Sequence, residues 1–319
     1  MQQVVSPRYS IVIPVYRNEG SIPSLLDALN RLSLSLDAPL EVVFVVDGSP
    51  DASFLLLENQ LSTVEFQARL ILLSRNFGAF AAIRCGLSEA SGDFIGVMAA
   101  DLQEPPSLMR EFFQALATKP LDVVFGKRLG RSDPRLTKVS SGLFWTAYRR
   151  LVQPDVPAGG VDVFALTSGF RDRLVALDEA NSSLLGLLFW LGGRREFIGY
   201  HRLERQHGKS AWTFRKKLTY LLDSVFAFSD LPVRALVALG LLGLGVAFGL
   251  GVIVFLARVF SAYAVPGYAG TVLAVLFFGA LNTFGIGIVG NYAWRAYENT
   301  KQRPASVISL RIDFPGKST

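Results

Sequence analysis

Side chains that could bind a nucleotide or a cation follow short apolar runs in the first third of the chain. Asp47 and Asp51 follow one run, and Asp101 and Gln103 follow another. Their oxygens accept hydrogen bonds from base and ribose groups and are the ligands that hard divalent cations prefer. Each aspartate also has a structural interpretation, as an Asx turn or a helix cap. Several such segments converging on one crevice favour a binding site.

Other kinds of site are excluded by composition. The 319 residues contain one cysteine and two histidines. Cys85 has no partner for a disulfide, and a thiolate or histidine-rich zinc centre lacks ligands. Any metal is therefore expected to be held by oxygen.

The elements that position these residues alternate along the chain. Short Val- and Ile-rich runs predict buried parallel strands at residues 10–15, 41–46, 69–73, 93–98 and 122–125. Amphipathic stretches predict helices at residues 22–36, 52–61, 79–90 and 105–117. This order indicates a doubly wound α/β sheet with a mostly parallel, Rossmann-like arrangement. In such sheets ligands bind beyond the carboxyl ends of the strands.

The last third predicts a membrane protein. Two uncharged stretches, placed at residues 235–257 and 270–294, are each long enough to cross a bilayer. The segment from Arg194 to Lys217 has a net charge of +6, equal to that of the whole chain. Because basic residues flank the two spans and the loop between them has only Arg258, both ends are expected in the cytoplasm. The basic segment adjoins a span, which argues against nucleic acid as its partner.

Two further segments have the pattern of amphipathic helices. In the segment 212–230, apolar residues recur at spacings of three and four beside Arg215, Lys216 and Lys217, which predicts an interfacial helix against the inner leaflet. The segment 128–150 is also basic and amphipathic. Two interpretations of this segment stay open: a helix packed on the core and a helix on the membrane surface.

Five motifs together resemble one family. They are PVYRNE (14–19), VDGSPD (46–51), SRNFGAFAA (74–82), ADLQEPP (100–106) and RQHGKSAW (205–212). With two spans after them, they resemble the polyisoprenyl-phosphate glycosyltransferases of glycosyltransferase family 2. This group includes dolichol-phosphate mannose synthases and, with the more similar tail, bacterial undecaprenyl-phosphate glucosyltransferases.

The resemblance implies a GT-A fold and a set of site residues. The residues implied for the nucleotide are Pro14, Tyr16, Glu19, Asp47 and Asp101. The metal, Mg²⁺ or Mn²⁺, would be held by Asp101 and Gln103. The family pattern Asp-x-Asp-x-Gln has lost its first aspartate, which is Ala99 here. A cation that takes most of its ligands from water and phosphate can be held by one carboxylate.

The acceptor side is expected to be cationic. A lipid phosphate would be bound by Arg128, Arg202, Arg205, Lys209 and Ser210. Catalytic roles fall to Asp101 and to Asp162, which would orient the acceptor or the sugar. The family segment is Gly-Asp-Phe, whereas this chain has an additional residue between Gly160 and Asp162, so a turn-capping role for Asp162 is the alternative.

The expected reaction is inverting transfer of a sugar, glucose from a UDP-linked donor, to polyprenyl phosphate. Three alternatives stay open: a GDP-mannose donor, a catalytically silent nucleotide-binding adaptor, and a processive polysaccharide synthase, whose Gln-x-x-Arg-Trp motif is absent. The expected location is the bacterial inner membrane, with a cytoplasmic catalytic domain at 1–211, an interfacial helix at 212–230, a two-helix transmembrane domain at 231–296 and a cytoplasmic tail at 297–319. A β-rich stretch at 305–313 could pair with a neighbouring subunit, which would make a homo-oligomer.

Overall fold

The structure is a computed structural model. It describes residues 8–129, 135–157, 160–179, 182–203, 214–260 and 268–316. The strands are β1 (Tyr9–Val15), β2 (Leu40–Val46), β3 (Gln67–Leu73), β4 (Phe94–Val97), β5 (Val123–Arg128), β6 (Phe164–Thr167), β7 (Arg195–Tyr200) and β8 (Ile308–Phe314). The helices are α1 (Ile22–Ser35), α2 (Ser53–Gln60), α3 (Ala79–Glu89), α4 (Ser107–Thr118), α5 (Arg135–Leu151), α6 (Ser168–Val175), α7 (Leu184–Trp190), α8 (Phe214–Phe228), α9 (Leu231–Val259) and α10 (Tyr268–Thr300).

The eight strands form one sheet in the order β7-β5-β6-β4-β1-β2-β3-β8. Strands β3, β2, β1 and β4 pair in parallel, as do β5 and β7. Strands β6 and β8 are antiparallel to their neighbours. The predicted doubly wound α/β class is confirmed, and the five predicted strands and four predicted helices lie within a few residues of the observed ones.

Both faces of the sheet are covered, which explains why β1 and β2 are apolar at nearly every position. In β1, Ile11 and Ile13 face the layer formed by α1, α2 and α4. Val12, between them, faces the layer that contains α3, α5, α6 and α7. All three side chains are completely buried. Alternate burial on two faces gives a continuous apolar run instead of a period of two.

Helix α8 packs on the second layer. The rings of Tyr148 in α5 and Tyr220 in α8 stack with centroids 5.9 Å apart. A Cβ on Gly186 in α7 would collide with the ring of Phe228, so the two helices touch closely there. Much of the apolar stripe predicted to face a membrane therefore faces the α/β domain, whereas Leu218 and Leu222 remain exposed.

Helices α9 and α10 are long and apolar enough to cross a membrane. Their most apolar segments have mean hydropathies of 2.5 and 2.2, and only 6% and 0% of those segments is buried inside the protein. At 1.5 Å per residue, the 33 residues of α10 extend about 50 Å, beyond a hydrocarbon core of roughly 30 Å. Near its end, Arg295 forms an ion pair with Asp223 of α8 at 2.6 Å.

The C-terminal segment returns to the α/β domain. Strand β8 pairs with β3 of the same chain, and Arg69 forms an ion pair of 2.6 Å with Asp313 across the two strands. The stretch proposed to pair with a neighbouring subunit thus has a partner within its own sheet. The homo-oligomer stays a prediction without support from this strand.

Candidate active site

The sheet changes its winding direction between β1 and β4. From β1 the strands proceed through β2 and β3 on one side and through β4 on the other. A crevice opens at such a switch point, beyond the carboxyl ends of the strands. The loops that follow β1 and β4 carry Glu19 and Asp101, respectively, so two predicted site residues adjoin this crevice.

The loops after β1 and β2 are joined through side-chain hydrogen bonds. The carboxylate of Glu19 accepts from the backbone N–H of Ala52 at 3.0 Å, and Asp51 accepts from the N–H of Glu19 at 3.2 Å. Asp51 also accepts from the hydroxyl of Ser49 and the N–H of Ser53. Burial would raise the pKa of Asp51, but these hydrogen bonds lower it below its ordinary value. The structural interpretation of Asp51, a turn and a helix start, is thus satisfied in the structure.

Asp47 connects the second loop to the third. Its carboxylate is 2% exposed and accepts from the N–H groups of Phe77 and Gly78 at 2.7 and 2.8 Å. Gly48, with φ +56°, lies so close to Arg75 that a Cβ would fall 2.4 Å from a backbone atom. Asp47 therefore fixes the loops after β2 and β3 against each other, in addition to any contact with a base.

Tyr16 and Pro14 occupy the rim of the same crevice. Pro14 is partly buried within β1, opposite Val45 of β2. Tyr16 is 39% exposed, and its N–H donates to the side chain of Asn18 at 3.0 Å. The ring of Tyr16 is thus partly accessible, and the guanidinium of Arg17 lies 5.5 Å from its centre.

A second set of polar side chains lies at the sheet edge where β4, β5 and β7 end and β6 begins. We call it the charged cluster; it consists of Gln103, Glu104, Arg128, Asp162, Tyr200 and Arg202. Because β6 is antiparallel, the residue that enters it lies at the edge where β5 and β7 end. The fold therefore brings Asp162, which precedes β6, beside Arg128, which ends β5, and Tyr200, which ends β7 opposite Arg128.

Asp162 is held by two partners within the charged cluster. Arg128 forms an ion pair with it, and the hydroxyl of Tyr200 donates to it at 3.5 Å. Burial lowers the pKa of Arg128, and the nearby charge of Arg202 lowers it further. Burial raises the pKa of Tyr200, and the charge of Glu104 adds to this effect. The hydroxyl therefore stays protonated at neutral pH as a hydrogen-bond donor.

Arg202 contacts the acidic loop after β4. Its guanidinium donates to Oε1 of Gln103 at 2.6 Å and lies 3.8 Å from Glu104. Glu104 is 1% exposed, and its Oε2 has no hydrogen-bond partner among the described residues. Burial raises the pKa of Glu104, and the charge of Asp101 raises it further. Neither Glu104 nor Tyr200 was predicted as a site residue, although Glu104 lies in the ADLQEPP motif and Tyr200 ends β7.

The loop after β4 has an uncommon backbone. Leu102 has φ +56°, a value that costs a non-glycine residue free energy and that clusters at functional sites. Asp101 accepts from the N–H of Gln103 at 3.3 Å, whereas α4 begins later, after Pro106. Asp101 thus forms a local turn instead of the helix cap considered as its structural role.

The predicted metal ligands at this edge, Asp101 and Gln103, offer oxygen atoms. Within the described part of the chain, no three His, Cys, Asp or Glu side chains come together as a ready metal site. Asp101 and Gln103 lie two residues apart in one turn. Arg205, Lys209 and Ser210 of the predicted acceptor site lie outside the described residues.

Comparison with known proteins identifies relatives over nearly the whole length. The model of the family described as "Glycosyl transferase family 2" matches residues 10–172. A prophage bactoprenol glucosyl transferase homolog of Escherichia coli (strain K12) is 31% identical over 306 residues, which cover 94% of this chain and 98% of that protein. A bactoprenol glucosyl transferase of Shigella phage SfX is 29% identical, covering 95% and 99%.

Solved structures share the fold. The chain is similar to glucosyl-3-phosphoglycerate synthase from Mycobacterium tuberculosis, solved in complex with Mn²⁺, uridine diphosphate and phosphoglyceric acid. The TM-score is 0.50 and the identity 19%, over 69% of this chain and 76% of that one. At this identity the similarity concerns the fold alone.

Proposed function

The chain belongs to glycosyltransferase family 2, and from that premise we propose that it transfers glucose from UDP-glucose to polyprenyl phosphate. The observation that carries this proposal is full-length similarity to proteins named bactoprenol glucosyl transferase, at 29–31% identity. It includes the two apolar helices as well as the catalytic domain. A lipid acceptor is consistent with such helices, since it gives the enzyme a reason to be held at a bilayer.

The donor nucleotide would bind in the loops after β1, β2 and β3. Tyr16 offers an exposed ring for stacking of the base, and Glu19 and Asp47 offer carboxylates at the same edge. In the structure, Asp47 already accepts two backbone hydrogen bonds. A carboxylate has about four lone-pair positions, so it retains acceptor capacity for a base N–H.

The residues after β4 have side-chain oxygens of the kind that bind a divalent cation. Asp101 and Gln103 supply hard oxygens, which suit Mg²⁺ or Mn²⁺ when diphosphate and water complete the coordination. When bound, the cation would neutralise charge on the diphosphate leaving group. The solved structure that shares this fold was crystallised with Mn²⁺ and uridine diphosphate.

The acceptor phosphate would bind at Arg128 and Arg202. Its second pKa is about 6, so the monoester is a charged nucleophile at neutral pH and needs little help from a base. Catalysis would then depend on holding its oxygen in line with the anomeric carbon. Asp162, fixed by Arg128 and Tyr200, is placed to orient the sugar or the acceptor. In-line displacement on an α-linked donor gives a β-linked lipid phosphate sugar.

The catalytic domain would lie at the cytoplasmic face of a bacterial inner membrane. The most apolar segments of α9 and α10 are almost entirely unburied by the rest of the protein, unlike a helix in the core of a soluble protein. The ion pair between Asp223 and Arg295 connects α8 to the end of α10, which supports a fixed position of the domain near the bilayer surface. The exposed Leu218 and Leu222 of α8 would contact lipid.

A donor screen with purified protein and undecaprenyl phosphate tests the proposal. UDP-glucose should give a lipid-linked sugar at a much higher kcat/KM than UDP-galactose, UDP-N-acetylglucosamine or GDP-mannose. A preference for GDP-mannose would show that the proposed donor is wrong and that the proposed reaction, sugar transfer to polyprenyl phosphate, is right. Failure of every donor would favour a silent adaptor, whose supporting observation is Ala99 in place of the family's first aspartate.

A further inference from the structure

Two partners would compete for one side-chain oxygen of Gln103. Oε1 accepts a hydrogen bond from the guanidinium of Arg202 at 2.6 Å. The same oxygen is the atom of the amide that would coordinate a divalent cation. Mg²⁺ takes its ligand oxygens at roughly 2.0–2.1 Å. A guanidinium on that oxygen would lie next to a doubly charged ion, so the two cations repel each other strongly.

We propose that Arg202 and the divalent cation are alternative partners of Gln103, so that metal binding releases the Arg202 side chain toward the acceptor phosphate. The inference rests on the proposed function. It makes Arg202 a residue that couples the two substrate sites, where the sequence suggested only an acceptor ligand.

The exchange requires only a side-chain movement. The backbone N–H of Leu203 donates to the carbonyl of Gln103 at 2.9 Å, and the Gln103 amide donates to the carbonyl of Leu203 at 3.4 Å. These contacts keep the two segments together when the guanidinium leaves. The side chain of Arg202 is 31% exposed, so it is not enclosed by the protein.

The position of Arg128 indicates what the released side chain of Arg202 would bind. Nε of Arg128 is buried and has no hydrogen-bond partner among the described residues, although another nitrogen of the same guanidinium pairs with Asp162. The charge of Arg202 lies close enough to disfavour that of Arg128. Two neighbouring guanidiniums with an unused donor are suited to a shared phosphate dianion.

Mn²⁺ binding to the full-length protein in detergent tests the competition directly. Free Mn²⁺ is measured by electron paramagnetic resonance, with and without uridine diphosphate. Arg202→Gln removes the competitor and should tighten Mn²⁺ binding about ten-fold, the effect of no longer breaking a charge-assisted hydrogen bond. Arg194→Gln is the matched control: it removes one positive charge before the other end of β7, where Arg194 pairs with Asp122, and should change the constant by less than about two-fold.

Labelling of the unmodified protein gives a second readout that needs no variant. Phenylglyoxal should modify Arg202 several-fold faster when Mn²⁺ and uridine diphosphate are saturating, and peptide mass spectrometry should show Arg194 unchanged. Equal or weaker Mn²⁺ affinity in Arg202→Gln, or unchanged labelling of Arg202, would overturn the proposal. Sugar transfer by the unmodified protein separates the two ideas, because Arg202→Gln also removes a proposed acceptor ligand. Transfer by the unmodified protein beside such a result overturns the competition alone, whereas absent transfer by the unmodified protein, with tighter Mn²⁺ binding in Arg202→Gln, overturns the proposed reaction.

Discussion

Replacing Asp162 with asparagine should abolish most sugar transfer at a modest cost in stability. The substitution keeps the shape of the side chain and removes its charge. Arg128, whose side chain is 13% exposed, would then face a neutral amide, whereas Asp162 itself is 30% exposed. Exchange of a charge-assisted for a neutral hydrogen bond in this partly buried pair should cost about 1–2 kcal/mol of unfolding free energy.

The effect on turnover should be larger than the effect on folding. Loss of one preorganised charged group at a reacting centre typically lowers kcat about 100-fold or more. The melting temperature of the catalytic domain should fall by only about 2–8 °C. We expect KM for UDP-glucose to stay near its original value, because Asp162 lies in the charged cluster and not in the loops after β1 to β3.

Asp155→Asn is the matched control. Asp155 pairs with Arg195 at 3.2 Å, but its side chain is 58% exposed, so this substitution should change stability by less than about 0.5 kcal/mol and leave turnover intact. The assays are radiolabelled glycolipid formation and thermal unfolding of the same preparations. Full turnover in Asp162→Asn, or a loss that merely follows the folded fraction, would refute the role of this pair in catalysis.

Three other predictions concern the metal, the acceptor and the topology. Asp101→Asn should remove most turnover while the melting temperature in the absence of metal is retained; full activity in Mg²⁺ would exclude it as a required ligand. Arg205→Ala and Lys209→Ala should each raise KM for polyprenyl phosphate about ten- to a hundred-fold with little change for the donor, and the opposite pattern would place these cations on the diphosphate. A cysteine at Ser261 should react with an impermeant thiol reagent in intact cells and one at Ala305 should not, since only the loop between the spans is expected outside; reversed labelling would overturn the orientation.

The parallel half of the fold could be predicted because its signals are local. Continuous Val- and Ile-rich runs, such as β2, and the amphipathic periods between them identified five strands and four helices. Strands β6 and β7 were not predicted. Strand β8 was recognised only as a β-rich stretch, and its partner β3 could not be identified because it lies far along the chain. Pairing of β8 with β3 depends on contacts such as Arg69 with Asp313, 244 residues away.

The candidate site was predicted in part for the same reason. Residues that directly follow strands β1, β2 and β4 could be placed at one edge from the fold class alone. The partners of Asp162 could not, because its position depends on the antiparallel direction of β6. Burial of Glu104 and its approach to Arg202 likewise come from tertiary packing, although Glu104 stands inside the ADLQEPP motif.

The most direct test of the account is the dependence of nucleotide-sugar turnover on the lipid acceptor. Purified protein should release uridine diphosphate from UDP-glucose at a rate that rises strongly with undecaprenyl phosphate, and the product should be a β-linked glucosyl lipid phosphate by nuclear magnetic resonance. Release at the same rate without the lipid, or glucose found only as free sugar, would contradict transfer to polyprenyl phosphate.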